Sequence, residues 1–459
     1  MALFKEAKHI AFFGIAGIGM YSVACMLMAQ GYEVSGSDRV ENHITESLIR
    51  QGASVNIGEF PSSLMSLEHP PQLAIYTAAI SPQNEGIRFC QTHGIPLVSR
   101  ADALAYLMAG HHPTIAIAGL HGKSTTTALL GQMFQAFTPS TTTVCGAEMV
   151  SVNAPFIQGE REGPFIFEAC EYMRSFLSFS PEIALLLNWG WDHIDCYPTK
   201  EDGELALRTF LKQSKMVVYN ADDSVLHKIM QNMPCPSYTF SLRNPKANVY
   251  LKDIKECKGT YQGTLCHMGK EIGLLAPSLP GVYNLDNALA TATVGLVSNM
   301  PPHQILSSIS CAKGVKRRME HVGYLGGAPV FDDYAHHPDE ITSALQYILK
   351  ITKGRVVCVF QSHTYTRTKA HLLGICNALK KADIVVVADI YPARETDTLG
   401  MSSALMAEMI GPSAYPISDR KEMSSFLMQT ITPQDTLIVM GAGNINQLFS
   451  HLPITSSLS

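Results

Sequence analysis

Ile115-Ala-Ile-Ala-Gly-Leu-His-Gly-Lys-Ser-Thr-Thr-Thr127 is the stretch whose reading decides the fold. An apolar run of strand-forming residues stops at Gly119, turns through Gly122, and enters a helix at Lys123-Ser124. Backbone N–H groups in such a turn, with the positive end of a helix behind them, can cradle a polyphosphate. Lys123 can reach terminal phosphates and the Ser124 hydroxyl can hold Mg²⁺. His121 and Thr125 complete the loop. The full phosphate-loop pattern wants an earlier glycine where Ile117 stands, so only the short form Gly-x-x-Gly-Lys-Ser is present.

The surrounding chain repeats this strand–turn–helix design. Upstream, His9-Ile-Ala-Phe-Phe13 reads as a strand and runs into Gly14-Ile-Ala-Gly-Ile-Gly19. A helix over 20–30 and a strand over 32–36 ending at Ser37-Asp38 follow, the general form of a Rossmann half. Another strand begins at Leu73 and runs toward a turn at Ser81. Ala109-Gly-His-His-Pro113 punctuates the chain as a linker. Beyond the phosphate loop, apolar strands recur over 164–168, 183–188 and 216–219. The segment 246–276 reads as a β-rich insertion, and Gly281-Val-Tyr-Asn-Leu-Asp-Asn287 enters an alanine-rich helix. A last unit from Gly314 carries strands over 356–360, 384–390 and 437–440 between helical segments. Alternation of this kind predicts α/β units with mostly parallel sheets. The expected domains are 1–108, 109–313 and 314–459.

Composition agrees with a packed multidomain protein. The chain has 459 residues, 46% of them hydrophobic, and a net charge of −5. No Lys/Arg block suggests nucleic-acid binding, and no apolar run is long enough to span a membrane. Met1-Ala-Leu-Phe-Lys-Glu leads directly toward a strand, so no signal peptide is expected. Eleven scattered cysteines without a framework point to reduced thiols and a cytoplasmic location. Cys257 and Cys266-His267 fit no common zinc spacing, and a glycine-punctuated hairpin accounts for them better.

Several strand ends carry reactive side chains. In an open α/β sheet, that is where ligands bind. Glu168-Ala-Cys-Glu-Tyr172 offers carboxylates opposite Ser124, suited to Mg²⁺, which prefers oxygen ligands. Asn188-Trp-Gly-Trp-Asp-His-Ile-Asp195 brings His193, a metal or phosphate ligand or a structural hydrogen-bonding group. Arg317-Arg318 is either a solvated pair or a cation for a transferring phosphoryl group. Phe331-Asp-Asp-Tyr-Ala-His-His-Pro338 reads as a substrate-contact loop, since adjacent histidines cannot easily face one ion. Phe360-Gln-Ser-His-Thr-Tyr-Thr-Arg-Thr368 adds His363 and Arg367, and Gly441-Ala-Gly-Asn444 reads as a plain strand-to-helix turn.

In their order along nearly the whole chain, these segments resemble the Mur ligase family. The resemblance implies a UDP-sugar-binding Rossmann-like domain, a central P-loop ATPase domain and a C-terminal Rossmann-like domain that receives an amino acid. It implies ATP and Mg²⁺ as cofactors, and UDP-N-acetylmuramate and L-alanine as substrates. The lactyl carboxylate would attack the ATP γ-phosphate, and the amine would then displace phosphate from the acyl phosphate. The resemblance places Gly14, Gly17 and Gly19 beside the UDP diphosphate, with Asp38 and Ser81 in the same site. Gly119, His121, Gly122, Lys123, Ser124 and Thr125 fall on the ATP loop. Glu168 and His193 match Mg²⁺ positions, and Asn284 and Asn287 match the adenine motif. Asp333 would lie near the ribose and Arg318 near the transferred phosphate, while Tyr334, His336 and Arg367 would line the amino-acid pocket. Lys123, Glu168, His193 and Arg318 would be the catalytic set.

Four departures stand out. Leu120 replaces a usual threonine, Tyr283 a histidine and Thr364 a frequent arginine, and Trp189-Gly190-Trp191 is unusual beside the Asp-His motif. A sister activity, joining a recycled tripeptide to the same UDP-sugar, shares every motif. A nicotinamide-dependent oxidoreductase leaves Lys123-Ser124 without a role, and a non-catalytic relative leaves the intact site set unused. A monomer or weak dimer is expected.

Overall fold

The computed structural model describes residues 2–58, 70–77, 80–81, 83–190, 196–257, 259–393, 395–397 and 399–457. It contains three sheets, of five, ten and six strands. His193, together with Trp191, Asp192 and Asp195, lies outside the described residues.

The first sheet is parallel throughout. Its strands run Ser54–Ile57, Glu33–Asp38, His9–Phe13, Leu73–Tyr76, Leu97–Ser99 in spatial order. The direction of winding reverses between His9–Phe13 and Leu73–Tyr76, so their carboxyl ends open a crevice. Ile10, Phe12 and Ile75 are fully buried. Helix Ile18–Ala29 covers the sheet with Val23, Ala24 and Leu27. Buried on both faces, the central strands read as continuous apolar runs rather than alternating ones.

The second sheet is built around Thr114–Ala118. Its parallel neighbours are Phe165–Glu168 on one side and Ile183–Leu186 on the other. Met216–Asn220, Ser237–Ser241 and Val249–Cys257 extend it beyond Ile183–Leu186. The antiparallel strands Thr260–His267 and Lys270–Leu275 complete that edge. The segment expected to be a β-rich insertion is thus a continuation of the central sheet, joined at Phe240 and Ser241, whose backbone pairs with Val249 and Tyr250. At the other edge, Thr142–Met149 and Ala154–Ile157 form an antiparallel pair. Helix Lys123–Phe137 follows the phosphate loop, and Val282–Val297 is the alanine-rich helix.

The first sheet, and the second apart from strand residues that fall within 256–261, belong to one compact unit; the second unit is made of residues 256–261, 279–282 and 315–459. Its sheet orders Glu320–Leu325, Ala328–Asp333, Thr436–Met440, Val356–Phe360, Ile384–Val387, Ala414–Pro416. Only the edge strand Glu320–Leu325 is antiparallel to its neighbour. Apolar side chains pack on both faces, with Ile341, Leu345 and Ile375 on one and Leu427, Ile445 and Leu448 on the other.

Candidate active site

Three adjacent parallel strands of the central sheet end together, and chemistry-bearing side chains follow each of them. Gly119 and Gly122 turn the chain with φ of 143° and 87°, where an L side chain is strained. Space forbids a side chain as well. A Cβ on Gly122 would sit 2.5 Å from Asn287 Oδ1, and one on Gly119 3.0 Å from the Asn188 carbonyl. The loop is pinned by Asn188, whose Oδ1 accepts from the His121 amide at 2.9 Å while its Nδ2 donates to the His121 carbonyl at 3.1 Å. Asn188 opens the segment that carries His193, yet nothing in that segment's composition reveals this holding role.

Lys123 is the centre of charge. Its Nζ donates to the Gly119 carbonyl at 2.5 Å and meets both Glu171 oxygens at 3.1 and 3.2 Å. Burial alone would depress its pKa; Glu171, with Cys170 and Glu168, outweighs that and holds the ammonium above its ordinary value. Glu171 is itself 6% exposed, and its backbone carbonyl accepts a hydrogen bond from the Tyr197 hydroxyl at 2.6 Å. Immediately after it, Met173 and Arg174 sit at φ of 51° and 56°, a strained turn of non-glycine residues.

Glu168 ends the neighbouring strand. Its Oε1 accepts from the Gly146 amide at 2.5 Å and from the Cys145 thiol at 3.4 Å, and the same thiol reaches the Ser124 carbonyl at 3.4 Å. A Cβ on Gly146 would lie 2.7 Å from Glu168 Oε2, so the missing side chain keeps that carboxylate face open. A carboxylate and the Ser124 hydroxyl are hard oxygen donors, and they fit Mg²⁺. Asn284 and Asn287 start the alanine-rich helix, both buried and joined by a 3.2 Å hydrogen bond. Thr125 is buried in the first turn behind the loop.

Two of the sequence departures belong together. Leu120 lies against Gly190, where an added Cβ would be 3.0 Å from its Cδ2. Trp189 donates its amide to Asp223 at 2.9 Å, and its ring is stacked 6.4 Å from Phe176. Tyr283 is 37% exposed.

At the first sheet's crevice, Gly14 adopts φ of 78° and its amide donates to Ser37. Gly17 caps helix Ile18–Ala29. Asp38 spends its carboxylate on backbone, accepting from Ala16 at 2.9 Å and Arg39 at 2.8 Å. Exposed Ser81 donates to Gln83 at 2.5 Å. Gly19 matters for what crosses it: a Cβ there would strike Arg100 Nη1 at 2.8 Å. Arg100 therefore lies over the glycine turn, a cation that the motifs along the chain do not single out.

The remaining predicted residues group in the second unit. Arg317 and Met319, at φ of 58° and 51°, flank Arg318. Arg317 donates to the Gly441 and Gly443 carbonyls, which gives that glycine turn a holding role. Arg318 meets Glu340 at 3.4 Å and lies 5.3 Å over the Tyr334 ring. Burial disfavours its charge, but Glu340, Asp333 and Tyr334 together hold it as a cation. Both Asp333 oxygens accept from backbone, from Met319 and Ala335 at 2.7 Å each. Burial lifts that carboxyl to about 6 despite Arg318. His336, His363 and Arg367 gather nearby, with 6.3 Å between the two imidazole centroids and 3.5 Å from Arg367 Nη1 to His363 Nδ1. His337 turns away to cap its helix and pack on His371. Thr364, between His363 and Tyr365, takes φ of 61° and ψ of 147°, a strained residue that redirects the chain.

Known proteins share this architecture over nearly the full chain. A Mur ligase family catalytic-domain model matches residues 9–112, a Mur ligase middle-domain model 117–295, and a Mur ligase glutamate ligase domain model 317–443. The UDP-N-acetylmuramate–L-alanine ligase of Lachnospira eligens is 35% identical over 456 residues, covering 98% of each chain. A crystal structure of UDP-N-acetylmuramate-alanine ligase from Thermotoga maritima matches with a TM-score of 0.82 at 25% identity, covering 96% of this chain and 97% of that one. A murein peptide ligase from Psychrobacter arcticus matches at 0.73 and 20% identity over 97% and 98%, sharing the fold.

Proposed function

The chain belongs to the Mur ligase family, and from that premise we propose that it joins L-alanine to the lactyl carboxylate of UDP-N-acetylmuramate with hydrolysis of ATP to ADP and phosphate. The observation that carries this reading is the loop Gly119–Ser124, with the Lys123 ammonium held by Glu171 and the open face of Glu168 beside it. Domains 1–108, 109–313 and 314–459 would take the UDP-sugar, ATP and the amino acid respectively.

Gly14, Gly17 and Gly19 offer a turn that a diphosphate can approach, with Arg100 as its cation; Asp38, which holds the Ala16 amide of that turn, and Ser81 would complete the UDP-sugar site. ATP would lie on the loop, its phosphates against the amides of Gly119–Thr125 and its base against Asn284 and Asn287. Ser124, Glu168 and His193 would hold Mg²⁺. Bound there, the ion would screen phosphate charge and polarise the γ-phosphoryl group. Lys123 and Arg318 would neutralise the phosphoryl oxygens as the lactyl carboxylate attacks, leaving an acyl phosphate and ADP. No protein nucleophile is needed; alignment and charge stabilisation supply the rate. Asp333 would reach the ribose only through the lone pairs that Met319 and Ala335 leave over. Tyr334, His336 and Arg367 would receive L-alanine, whose amine displaces phosphate.

L-Alanine is favoured over the tripeptide by the 35% identity to a ligase named for alanine. All eleven cysteines are free thiols, which supports action in a reducing cytoplasm. No helix among the described residues is long and apolar enough to cross a membrane. A monomer or weak dimer completes the proposal.

The test supplies the protein with MgATP, UDP-N-acetylmuramate and either L-alanine or the tripeptide. ADP and UDP-N-acetylmuramoyl-L-alanine should appear one for one. Lys123→Ala should lower ADP release by at least about a thousandfold, the scale of a lost phosphoryl-stabilising cation, while UDP-sugar binding by calorimetry is kept. A strong preference for tripeptide, or unchanged turnover in Lys123→Ala, would sink the reading.

A further inference from the structure

The amine of an amino acid is an ammonium at neutral pH and has no lone pair with which to attack. If the second unit receives the amino acid, some group there must take a proton first. Within that unit, the strands Ala328–Asp333 and Val356–Phe360 flank Thr436–Met440 and deliver two imidazoles to the same edge of the sheet as Arg367. Their hydrogen bonds assign their tautomers.

His336 Nδ1 lies 3.1 Å from the Tyr334 carbonyl. A carbonyl only accepts, so in the neutral ring Nδ1 carries the hydrogen and Nε2 keeps the lone pair. Among the described residues Nε2 makes no hydrogen bond. On the Nδ1 side, Glu340 Oε2 stands 3.4 Å away and would stabilise the ring once it became an imidazolium. His363 is in the opposite state. Its Nδ1 faces Arg367 Nη1 at 3.5 Å, and a guanidinium only donates, so Nδ1 is the acceptor and Nε2 carries the hydrogen. Its ring is stacked on Tyr391 at 5.6 Å. The second imidazole thus has no lone pair to spare.

We propose that His336 Nε2 is the base that takes a proton from the ammonium of the incoming amino acid, Arg367 holding the carboxylate of the same molecule. The proposal rests on the ligase reading and adds a catalytic residue to it. One ammonium proton passes to Nε2, giving an imidazolium and a neutral amine. The amine lone pair forms the C–N bond at the acyl carbon. The C–O bond to phosphate then breaks, and the oxygen keeps its electron pair. The second proton on nitrogen leaves with the departing phosphate, and the imidazolium returns its proton to solvent.

The charges around the ring suit this cycle. Burial lowers the His336 pKa most, Glu340 opposes that, and Arg367 and Arg318 lower it further. Tyr334 packs edge-on at 5.7 Å, and His363 is itself held neutral, down to about 4, by burial, Arg367 and His336. The resting ring is therefore an unprotonated acceptor at neutral pH.

Hydroxylamine separates this role from every other. It is a neutral nucleophile at pH 7 and captures an acyl phosphate as a hydroxamate without a base. The variant is His336→Asn, whose side-chain amide can still donate to the Tyr334 carbonyl. With MgATP and UDP-N-acetylmuramate, we expect L-alanine ligation at pH 7 to fall about a hundredfold or more in kcat, the ordinary scale of a lost general base. The KM for L-alanine should change by less than about threefold, and hydroxamate formation should stay at the wild-type rate, which also reports that the variant is folded. The ligation deficit should shrink as pH rises toward that of a free amine. Equal losses with both nucleophiles, a deficit confined to KM, or a pH profile parallel to wild type would each overturn the proposal. Failure of the wild type to form hydroxamate would instead overturn the ligase reading beneath it.

Discussion

Asp286 sits in the alanine-rich helix between Leu285 and Asn287, where its Oδ2 accepts from Asn220 at 3.0 Å. Its Oδ1 is buried with no hydrogen-bond partner among the described residues. Burial raises this carboxyl to about 7, Asp222 adding to the rise while Asn220 and Arg243 oppose it. An unfolded aspartate titrates near about 3.9. Because the folded value is the higher one, the native state binds the proton more tightly. Its stabilising effect is complete below about pH 4 and is lost as pH rises toward 7. Asp286→Asn, which resembles the protonated acid, should leave stability nearly unchanged at pH 4 and raise it by about 2–4 kcal/mol at pH 8. Thermal denaturation at the two pH values measures this, and a variant less stable than wild type at pH 8 would refute the buried neutral acid. Leu120 and Gly190 likewise depend on each other. They are separate oddities along the chain, and the 3.0 Å clearance between an added Gly190 Cβ and Leu120 Cδ2 makes them one adjustment. Gly190→Ala should therefore cost less in a Leu120→Thr background, with a coupling of about 1 kcal/mol in a double-mutant cycle; strictly additive effects would break the link.

Elements were legible where their chemistry is local. The apolar run 115–118, the two glycines and Lys123 announce strand, turn and helix because each residue type suits its own backbone conformation. The same holds for His9–Phe13 and Gly14, and for the strands that end at Glu168 and at Phe360. Long-range facts were not legible. The strand Thr142–Met149 was missed because Pro139-Ser140-Thr141-Thr142-Thr143 has the composition of a loop, although its three threonines are fully buried. Only tertiary packing turns such residues into a strand. The region 246–276 was seen as β-structure, but its continuity with the central sheet depends on pairing at Phe240 and Ser241. In the candidate site, the residue types Lys, Ser, Glu and Arg were readable, whereas their holders were not. Glu171, Arg100 and Asn188 act on Lys123, Gly19 and His121, partners far away along the chain. Asn188→Ala removes both hydrogen bonds that fix the His121 peptide. We expect the KM for ATP to rise about tenfold, matching roughly 1.4 kcal/mol for two neutral hydrogen bonds, with UDP-sugar affinity unchanged. Steady-state kinetics and calorimetry decide it, and an unaltered KM would show that the loop holds itself.

At the scale of the whole molecule, one construction is used three times. Each sheet sends its candidate binding loops from the carboxyl ends of neighbouring parallel strands: Gly14 and Thr77 in the first, Gly119, Glu168 and Leu187 in the second, and Tyr334, Gln361 and Gly441 in the third. Crossover connections make this inevitable, since each strand must turn outward at that end before its helix returns. Eleven free thiols distributed over the chain make the arrangement measurable. Cys25, Cys90, Cys145, Cys266, Cys358 and Cys376 are buried, and only Cys257 and Cys311 are exposed. Burial also raises the Cys358, Cys145 and Cys90 thiols, so little reactive thiolate forms there. A thiol reagent at pH 8 should modify Cys257 and Cys311 first and the buried six only when denaturant unfolds their sheet. Cys170 is partly buried, and burial, aided by the Glu171 carboxylate, raises its thiol while Lys123 opposes the rise. It should react at an intermediate rate that MgATP slows severalfold, because phosphates on the loop close the approach to it. Mass spectrometry of the labelled peptides gives the order. Early labelling of the buried six would contradict the packing of all three sheets, and indifference of Cys170 to MgATP would contradict the placing of ATP on the loop.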